Sequence, residues 1–384
     1  MSYLEKLLDG VEVEWLPLSG LARIRNGKDH KSLSEGEFPV YGSGGIMRYV
    51  DTYAYNKPSV LIPRKGSLGN LFFVNVPFWT VDTIFYTEID EAQIRPKYLY
   101  YFLTTVGLGE MNQAGGVPSQ TQSVLNKLKI PIPCPGNPQK SLAIQSEIVR
   151  ILDKFTAVTA ELTAELNMRK KQYNYYRDQL LSFDEEQEKP IYLEKLLDGV
   201  EVEWLPLSDL ARIRNGKDHK SLSEGEFPVY GSGGIMRYVD TYAYNKPSVL
   251  IPRKGSLGNL FFIDVPFWTV DTIFYTEIDE AQIRPKYLYY FLSTVGLGEM
   301  NQAGGVPSQT QSVLNKLKIP IPCPDNPEKS LAIQSEIVRI LDKFDTLTNS
   351  ITEGLPREIE LRQKQYEYYR DLLFSFPKPE TISN

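Results

Sequence analysis

The sequence predicts an α+β molecule: two globular mixed α/β domains separated by a pair of long coiled-coil helices. Two observations carry this. Residues Tyr3–Phe155 and Tyr192–Phe344 align without a gap at an offset of 189, with 147 identities in 153 positions. Each copy then runs into a stretch with apolar residues at steps of three and four, the spacing of one helix face and of a coiled-coil seam.

In order, residues 1–136 form the first globular domain and 137–183 the first helix. An acidic link follows at 184–191, then the second domain at 192–325, the second helix at 326–376 and a tail at 377–384. Within the first domain, residues 58–66, 71–76 and 81–89 have the composition of short strands between Gly and Pro turns. Residues 96–107 open with Pro as a helix does, and 127–133 (KLKIPIP) is extended, because residues before proline are pushed toward β. The first helix has Asn137 as N-cap and Pro138 at its first position. Its seam is Ile144, Ile148, Ile151, Phe155, Val158, Leu162, Leu166, Arg169 (out of type), Tyr173, Tyr176 and Leu180. About 46 helical residues reach roughly 70 Å, more than one small domain can enclose. The second seam is Ile340, Phe344, Leu347, Ile351, Leu355, Ile359, Arg362, Tyr366, Tyr369 and Leu373, with four more residues than the first. Four residues are about one turn, so the insertion is expected to lengthen the second helix. Gly354 and Pro356 near its middle are able to kink or split it.

Composition narrows the function. The N-terminus is acidic rather than a signal peptide, and no run approaches the length of a membrane span. The two cysteines (Cys134, Cys323) and two histidines are one site each seen twice. They support neither a metal cluster nor a disulfide framework, and a reduced cytoplasm is expected. Net charge is −6, yet residues 21–70 carry eight basic side chains against four acidic ones, and residues 210–259 repeat this. Basic residues set among Gly, Ser, Asn and Tyr suit a surface that follows a phosphate backbone, although a solvated surface of mixed charge has the same composition.

Four polar loops hold the candidate DNA-binding residues. Loop 25–32 supplies Arg25, Asn26, Lys28, His30 and Lys31; loop 40–49 supplies Tyr41, Ser43 and Arg48; loop 63–70 supplies Arg64, Lys65 and Ser67; loop 114–123 supplies Ser119, Gln120, Thr121 and Gln122. The second copy presents Arg214, Asn215, Lys217, His219, Lys220, Tyr230, Ser232, Arg237, Arg253, Lys254, Ser256, Ser308, Gln309, Thr310 and Gln311. Gln is a reader of adenine edges, and Ser, Thr, Arg and Lys suit phosphates. Each loop also has a plain structural account: Ser119 to Gln122 as a cap, Arg64-Lys65 as an edge-strand guard, the tyrosines as core or rim. GSGG (42–45) lacks the remainder of a phosphate-binding or dinucleotide-binding motif.

The ordered set YGSGGIMRY, PRKGSLGN, Phe78-Trp79, Asp82-Thr83, GVPSQTQSVLNKLKIPIP and LAIQSEIVRILDKF resembles the specificity subunits of type I restriction-modification enzymes, over nearly the whole chain. The tandem TAELTAEL (Thr159–Leu166) resembles the spacer repeats of one subgroup. The resemblance implies two target recognition domains, each reading half of a split DNA site, and conserved helices that pack antiparallel, hold the domains apart in a pseudo-two-fold symmetric arrangement and dock modification subunits, two of them expected, with restriction/translocase subunits beside these. Adenine-N6 methylation and ATP-driven cleavage would then belong to the partners, with S-adenosylmethionine, ATP and Mg bound by them and no cofactor bound by this chain. No methyltransferase, Walker A or nuclease motif is found in the sequence, as expected of a recognition subunit rather than an enzyme. The chain departs from the family pattern in one respect: its two domains are near-identical where the family's are ordinarily unrelated, which implies a palindromic bipartite target. The alternative is a stand-alone two-fold symmetric DNA-binding regulator, which would bind its site tightly without partners.

Overall fold

A computed structural model describes residues 10–111, 117–183, 196, 199–300 and 305–377. The expected link at 184–191, loop residues 114–116 and the tail beyond 377 lie outside the described residues. In the first globular region, β1 (Val13–Pro17) pairs antiparallel with β9 (Lys129–Pro133). A four-stranded antiparallel sheet has the order β2 (Ala22–Asn26), β8 (Ile84–Ile89), β5 (Ser59–Pro63), β6 (Phe72–Val74). A three-stranded sheet has the order β4 (Gly45–Val50), β3 (Phe38–Gly42), β7 (Trp79–Thr80), with β7 parallel to β3. Helices α1 (Pro96–Leu103) and α2 (Gln122–Leu125) precede α3 (Pro138–Ser182). The strands expected at 58–66, 71–76 and 81–89 are therefore present in shortened form. Residues 40–49, expected to be a loop, instead form the β3–β4 hairpin. Ser43-Gly44 is its two-residue turn, and Gly45 takes φ +113°, a conformation that favours glycine.

The core lies between the sheets, α1 and the start of α3. Tyr98 is fully buried, and its hydroxyl donates to the Pro131 carbonyl at 2.8 Å. Burial holds its phenol well above the ordinary value. The second region, from β10 (Val202–Pro206) to β18 (Lys318–Pro322), repeats every strand pairing, with helices α4 (Leu207–Leu210), α5 (Pro285–Leu292) and α6 (Gln311–Leu314). It differs at one turn: Leu18–Gly20 is 3-10, whereas Leu207–Leu210 is α-helical with Asp209 in place of Gly20. Glycine is the poorer helix former of the two.

Asn137 and Asn326 cap the long helices as expected, accepting from the Lys140 and Lys329 amides at 3.0 Å. At the far ends of the expected seams, Leu180 and Leu373 are buried, but the seam needs correction at its start. There the buried apolar positions of α3 are Ile144, Ile148 and Leu152, with Ile151 only partly buried, and those of the second helix are Ile333, Ile337 and Leu341, with Ile340 only partly buried. This i, i+4 face packs onto the helix's own globule. Gln145 anchors it, with Oε1 accepting from the Arg95 amide and Nε2 donating to the Gln93 carbonyl and Ser141 Oγ. Asp153 adds a second anchor, accepting from Tyr101 Oη at 2.6 Å and pairing with Lys97 at 2.8 Å. Gln334 and Asp342 repeat both. Between Thr156 and Gln179 no residue of α3 is buried.

The expectation of a longer second helix is overturned. The segment is two helices, α7 (Pro327–Asn349, 23 residues) and α8 (Gly354–Leu373, 20 residues), against 45 residues in α3. Residues 350–353 lie outside both, so a break takes up the extra four residues instead of an added turn. Gly354 sits at φ +74°, where a Cβ would lie 2.4 Å from the Thr346 carbonyl oxygen, and Ile351, expected on the seam, is 79% exposed.

The chain divides into two compact units, Met1–Leu162 with Glu358–Asn384, and Thr163–Arg357. Each unit thus contains the start of one long helical segment and the end of the other. In the first, Leu373, Phe374 and Phe376 are buried in the globule, Phe374 lying 5.2 Å from Tyr98 and 5.6 Å from Phe102, and Trp15 Nε1 donates to the Pro377 carbonyl. Phe155 stacks on Tyr369 at 5.3 Å. In the second unit, Leu180 and Leu181 fill the corresponding place and Tyr176 stacks on Phe344 at 5.4 Å.

Candidate nucleic-acid interface

The four polar segments converge on one patch in each unit. β2 delivers Asn26, whose Oδ1 accepts from Gln122 Nε2 at 3.2 Å, joining the first segment to the fourth. Lys65 bridges to Ser119, and the Gly66 amide donates to the Pro118 carbonyl at 2.8 Å, joining the third to the fourth. Asn70 Nδ2 donates to the Ser43 carbonyl at 3.2 Å, and the Ser43 amide donates to Thr83 Oγ1 at 3.2 Å, joining the hairpin turn to the third segment and to the β7–β8 corner. Gln311–Asn215, Lys254–Ser308, Asn259–Ser232 and Ser232–Thr272 repeat these links in the second unit. Gly27 makes the first segment possible: a side chain there would come within 2.0 Å of the Val81 carbonyl oxygen, beneath which Lys28 donates its amide to the Thr80 carbonyl.

The candidate residues have different fates. Lys28, Lys31, Lys65, Ser67 and Thr121 are exposed. Arg25 pairs with Glu88 at 2.9 Å, and Arg214 with Glu277 at 3.0 Å; the hydrogen bond to the carboxylate raises the pKa of each guanidinium. Arg64 lies over the Phe85 ring at 5.9 Å with a long contact to the Asp82 carbonyl, and Lys65 reaches Asp82 at 3.7 Å. Arg48 donates to the Leu33 carbonyl at 3.1 Å. Asp29 accepts from the Lys31 amide, which holds its carboxyl below the usual range and fixes the loop around His30, whose Nδ1 is buried. Arg237, Arg253, Lys217, Lys220, His219 and Ser256 occupy the equivalent places.

Two groups of candidates require correction. Gln120 and Gln309 are 2% exposed, and their amide nitrogens donate to the Pro63 and Pro252 carbonyls. They brace the patch from beneath rather than face a base. Tyr41 packs against Phe72 at 5.8 Å and Phe78 at 6.4 Å, and burial raises its phenol, as it does for Tyr230. Both tyrosines belong to the core's rim. Thr83 and Asn70 lie outside the sequence candidates, although Asp82-Thr83 and PRKGSLGN belong to the ordered set that carries the resemblance; short polar side chains knitting three segments together leave no periodic signal. Ile46 and Met47, exposed on β4, were not among the candidates, and Tyr49, one of the tyrosines expected in the core or at its rim, is half exposed there.

Among the described residues, no helix is long and apolar enough to cross a membrane, and no group of three or more His, Cys, Asp and Glu side chains could hold a metal ion.

Comparison with known proteins agrees with this architecture. The chain is 42% identical to the type I restriction enzyme EcoR124I/EcoR124II specificity subunit of Escherichia coli, over 100% of this chain and 99% of that one. It is 34% identical to a putative type I restriction enzyme specificity subunit of Haemophilus influenzae, over 98% of each. The fold matches the crystal structure of a type I restriction-modification S subunit from M. genitalium with a TM-score of 0.64 at 19% identity, covering 98% of this chain and 100% of that one. It also matches a chain from a study of type I restriction-modification complex assembly, with a TM-score of 0.54 at 14% identity over 94% of this chain and 97% of that one. The type I restriction modification DNA specificity domain matches twice, at residues 11–169 and 199–361, and the chain belongs to that family, as a specificity subunit with one such domain in each half.

Proposed function

We propose that this subunit reads a bipartite palindromic DNA target, a half-site and its inverted repeat across a non-specific gap, and directs adenine-N6 methylation and restriction carried out by partner subunits. The observation that carries this is the identity of the two patches. The six differences between the copies, at Gly20/Asp209, Val74/Ile263, Asn75/Asp264, Thr104/Ser293, Gly136/Asp325 and Gln139/Glu328, all fall outside the four segments, and the hydrogen bonds joining those segments recur in both units. Two identical readers on one duplex select the same bases twice.

The chain acts by recognition and is not itself catalytic. S-adenosylmethionine, ATP and Mg belong to the modification and restriction subunits, and the complex works in the cytoplasm. Support for docking comes from exposed apolar side chains on one face of each long helix: Met168 and Tyr175 on α3, seven apart, and Leu361, Tyr368 and Leu372 on α8, spaced seven and four. Apolar residues left on one helical face are suited to packing against partner helices, here the two modification subunits.

The test is methylome sequencing of cells that express the chain with a compatible modification subunit. A split palindrome carrying N6-methyladenine on both strands is the expected result. Two unrelated half-sites would refute the symmetric reading, and no new methylation despite complex assembly would refute the specificity role.

A further inference from the structure

The hairpin of β3 and β4 contains an irregularity that the polar patch does not explain. Val40 pairs with Arg48 and Tyr41 with Ile46, so Met47 has no residue opposite it: it is the extra residue of a β-bulge. The second unit has the same bulge at Met236, between the Val229–Arg237 and Tyr230–Ile235 pairs. A bulge redirects side chains that regular alternation would send to opposite faces. Here neighbouring Ile46 and Met47 are both exposed, at 50% and 59%, and Ile235 and Met236 at 50% and 58%.

Met47 is also directed toward the patch. A side chain at Gly42 would meet Met47 Sδ at 2.8 Å and Thr83 Oγ1 at 3.3 Å, so the thioether lies across the bare backbone of Gly42 beside the hydroxyl that fixes the Ser43 turn. β4 is the outer strand of its sheet, and the turn is braced from two sides by Asn70 and Thr83. The result is a two-stranded ribbon, braced at its turn, that presents a large, polarisable apolar group beside Thr83, whose carbonyl accepts from the Arg64 and Lys65 amides, in a window carrying eight basic residues against four acidic ones within an acidic protein.

We propose that Met47 and Met236 are specificity-determining residues that contact the 5-methyl group of one thymine in each half-site, with the β3–β4 and β12–β13 ribbons (β12, Phe227–Gly231; β13, Gly234–Val239) seated in the major groove. The major groove, about 12 Å wide, admits a two-stranded ribbon, and the thymine methyl is its one apolar mark. The basic flanks face the phosphates and the thioether faces the methyl. This rests on the DNA-reading role proposed above and adds to it which atom is read.

The experiment uses the subunit assembled with its modification subunits and a duplex containing the methylated target. Each thymine of the half-sites is replaced in turn by deoxyuridine, which removes only the methyl. One position per half-site should weaken binding about fourfold, the equivalent of about 0.8 kcal/mol for one buried methyl. Met47→Ala with Met236→Ala should lose about the same affinity per half-site and become indifferent to deoxyuridine there, while Met47→Leu with Met236→Leu should stay sensitive. Thermal melting of each variant checks that the fold is retained, as expected for side chains more than half exposed. A target bound with undiminished affinity at every deoxyuridine position overturns the proposal but leaves the specificity role intact. So does sensitivity that persists in the alanine variants, or a variant defect confined to assembly with the modification subunits. Failure to bind any defined target overturns both.

Discussion

At the residue scale, the patch separates exposed basic side chains, which the proposed function assigns to DNA, from buried side chains that shape the surface, and the two classes should respond differently to substitution. Lys65 is about half exposed and shares only a 3.7 Å contact with Asp82, so its charge is available to a phosphate. Lys65→Ala with Lys254→Ala should weaken binding about equally for all sequences and flatten the dependence of log K on log salt by about two, one for each phosphate contact. A salt titration of affinity on specific and unrelated duplexes measures this. Gln120 should behave in the opposite way. Its truncation, made with that of Gln309, leaves the buried Pro63 and Pro252 carbonyls without their donors, and each unit should lose about 1–3 kcal/mol of stability while the salt slope of the remaining folded protein is unchanged. Denaturant unfolding and the same titration distinguish the two cases. Sequence alone placed Lys65 and Gln120 in one candidate set, since residue type indicates hydrogen-bonding capacity and burial does not follow from it. Glutamine two residues from a proline, in a segment rich in Ser and Thr, has the composition of a surface loop; only the fold shows that it passes under β5.

At the element scale, what was legible followed from strong local signals. The Asn-Pro starts of the long helices, the Pro-led α1 and the proline-rich β9 were all readable because capping and φ restriction act within a few residues. The β3–β4 hairpin was not, since its turn and bulge break the period-two alternation by which a strand is recognised. The four-residue insertion was misjudged for a related reason: helical periodicity tolerates an added turn, but Gly354 at positive φ, followed by Pro356, does not. In α3 the four-residue repeat does continue as helix through Thr159–Leu166, and each repeat spans about 6 Å of axis. Deleting Thr163–Leu166 should change the preferred gap by one to about two base pairs, at 3.4 Å per pair, with the half-sites unchanged. Methylome mapping of the deletion variant reads both, and an unaltered gap would refute the dependence of gap length on helix length.

At the scale of the whole molecule, each compact unit is completed by a segment remote in sequence. Leu373, Phe374 and Phe376 belong to the same core as Leu18, Tyr98 and Phe102. Replacing Phe374 and Phe376 by Ala should destabilise the first unit by about 3–5 kcal/mol for each well-buried ring and leave the second unit's transition in place, which calorimetry resolves as one shifted peak and one fixed peak. The repeat made the existence of two such units readable from sequence. That the cores exchange helix ends was not readable, because LLSF and LLFSF look the same whichever globule they enter.

This exchange also sets an order of assembly during synthesis. Leu180 and Leu181 are already made when the second globule leaves the ribosome, so that globule closes as soon as its own last strand and the start of α7 emerge. The first globule, although translated first, keeps the apolar seat around Tyr98 and Phe102 open until residues 373–377 emerge, nearly 200 residues after α3 is complete. Throughout that interval the nascent chain carries an unfilled hydrophobic site. Pausing or truncation late in translation therefore exposes the first half of the protein, not the half being made.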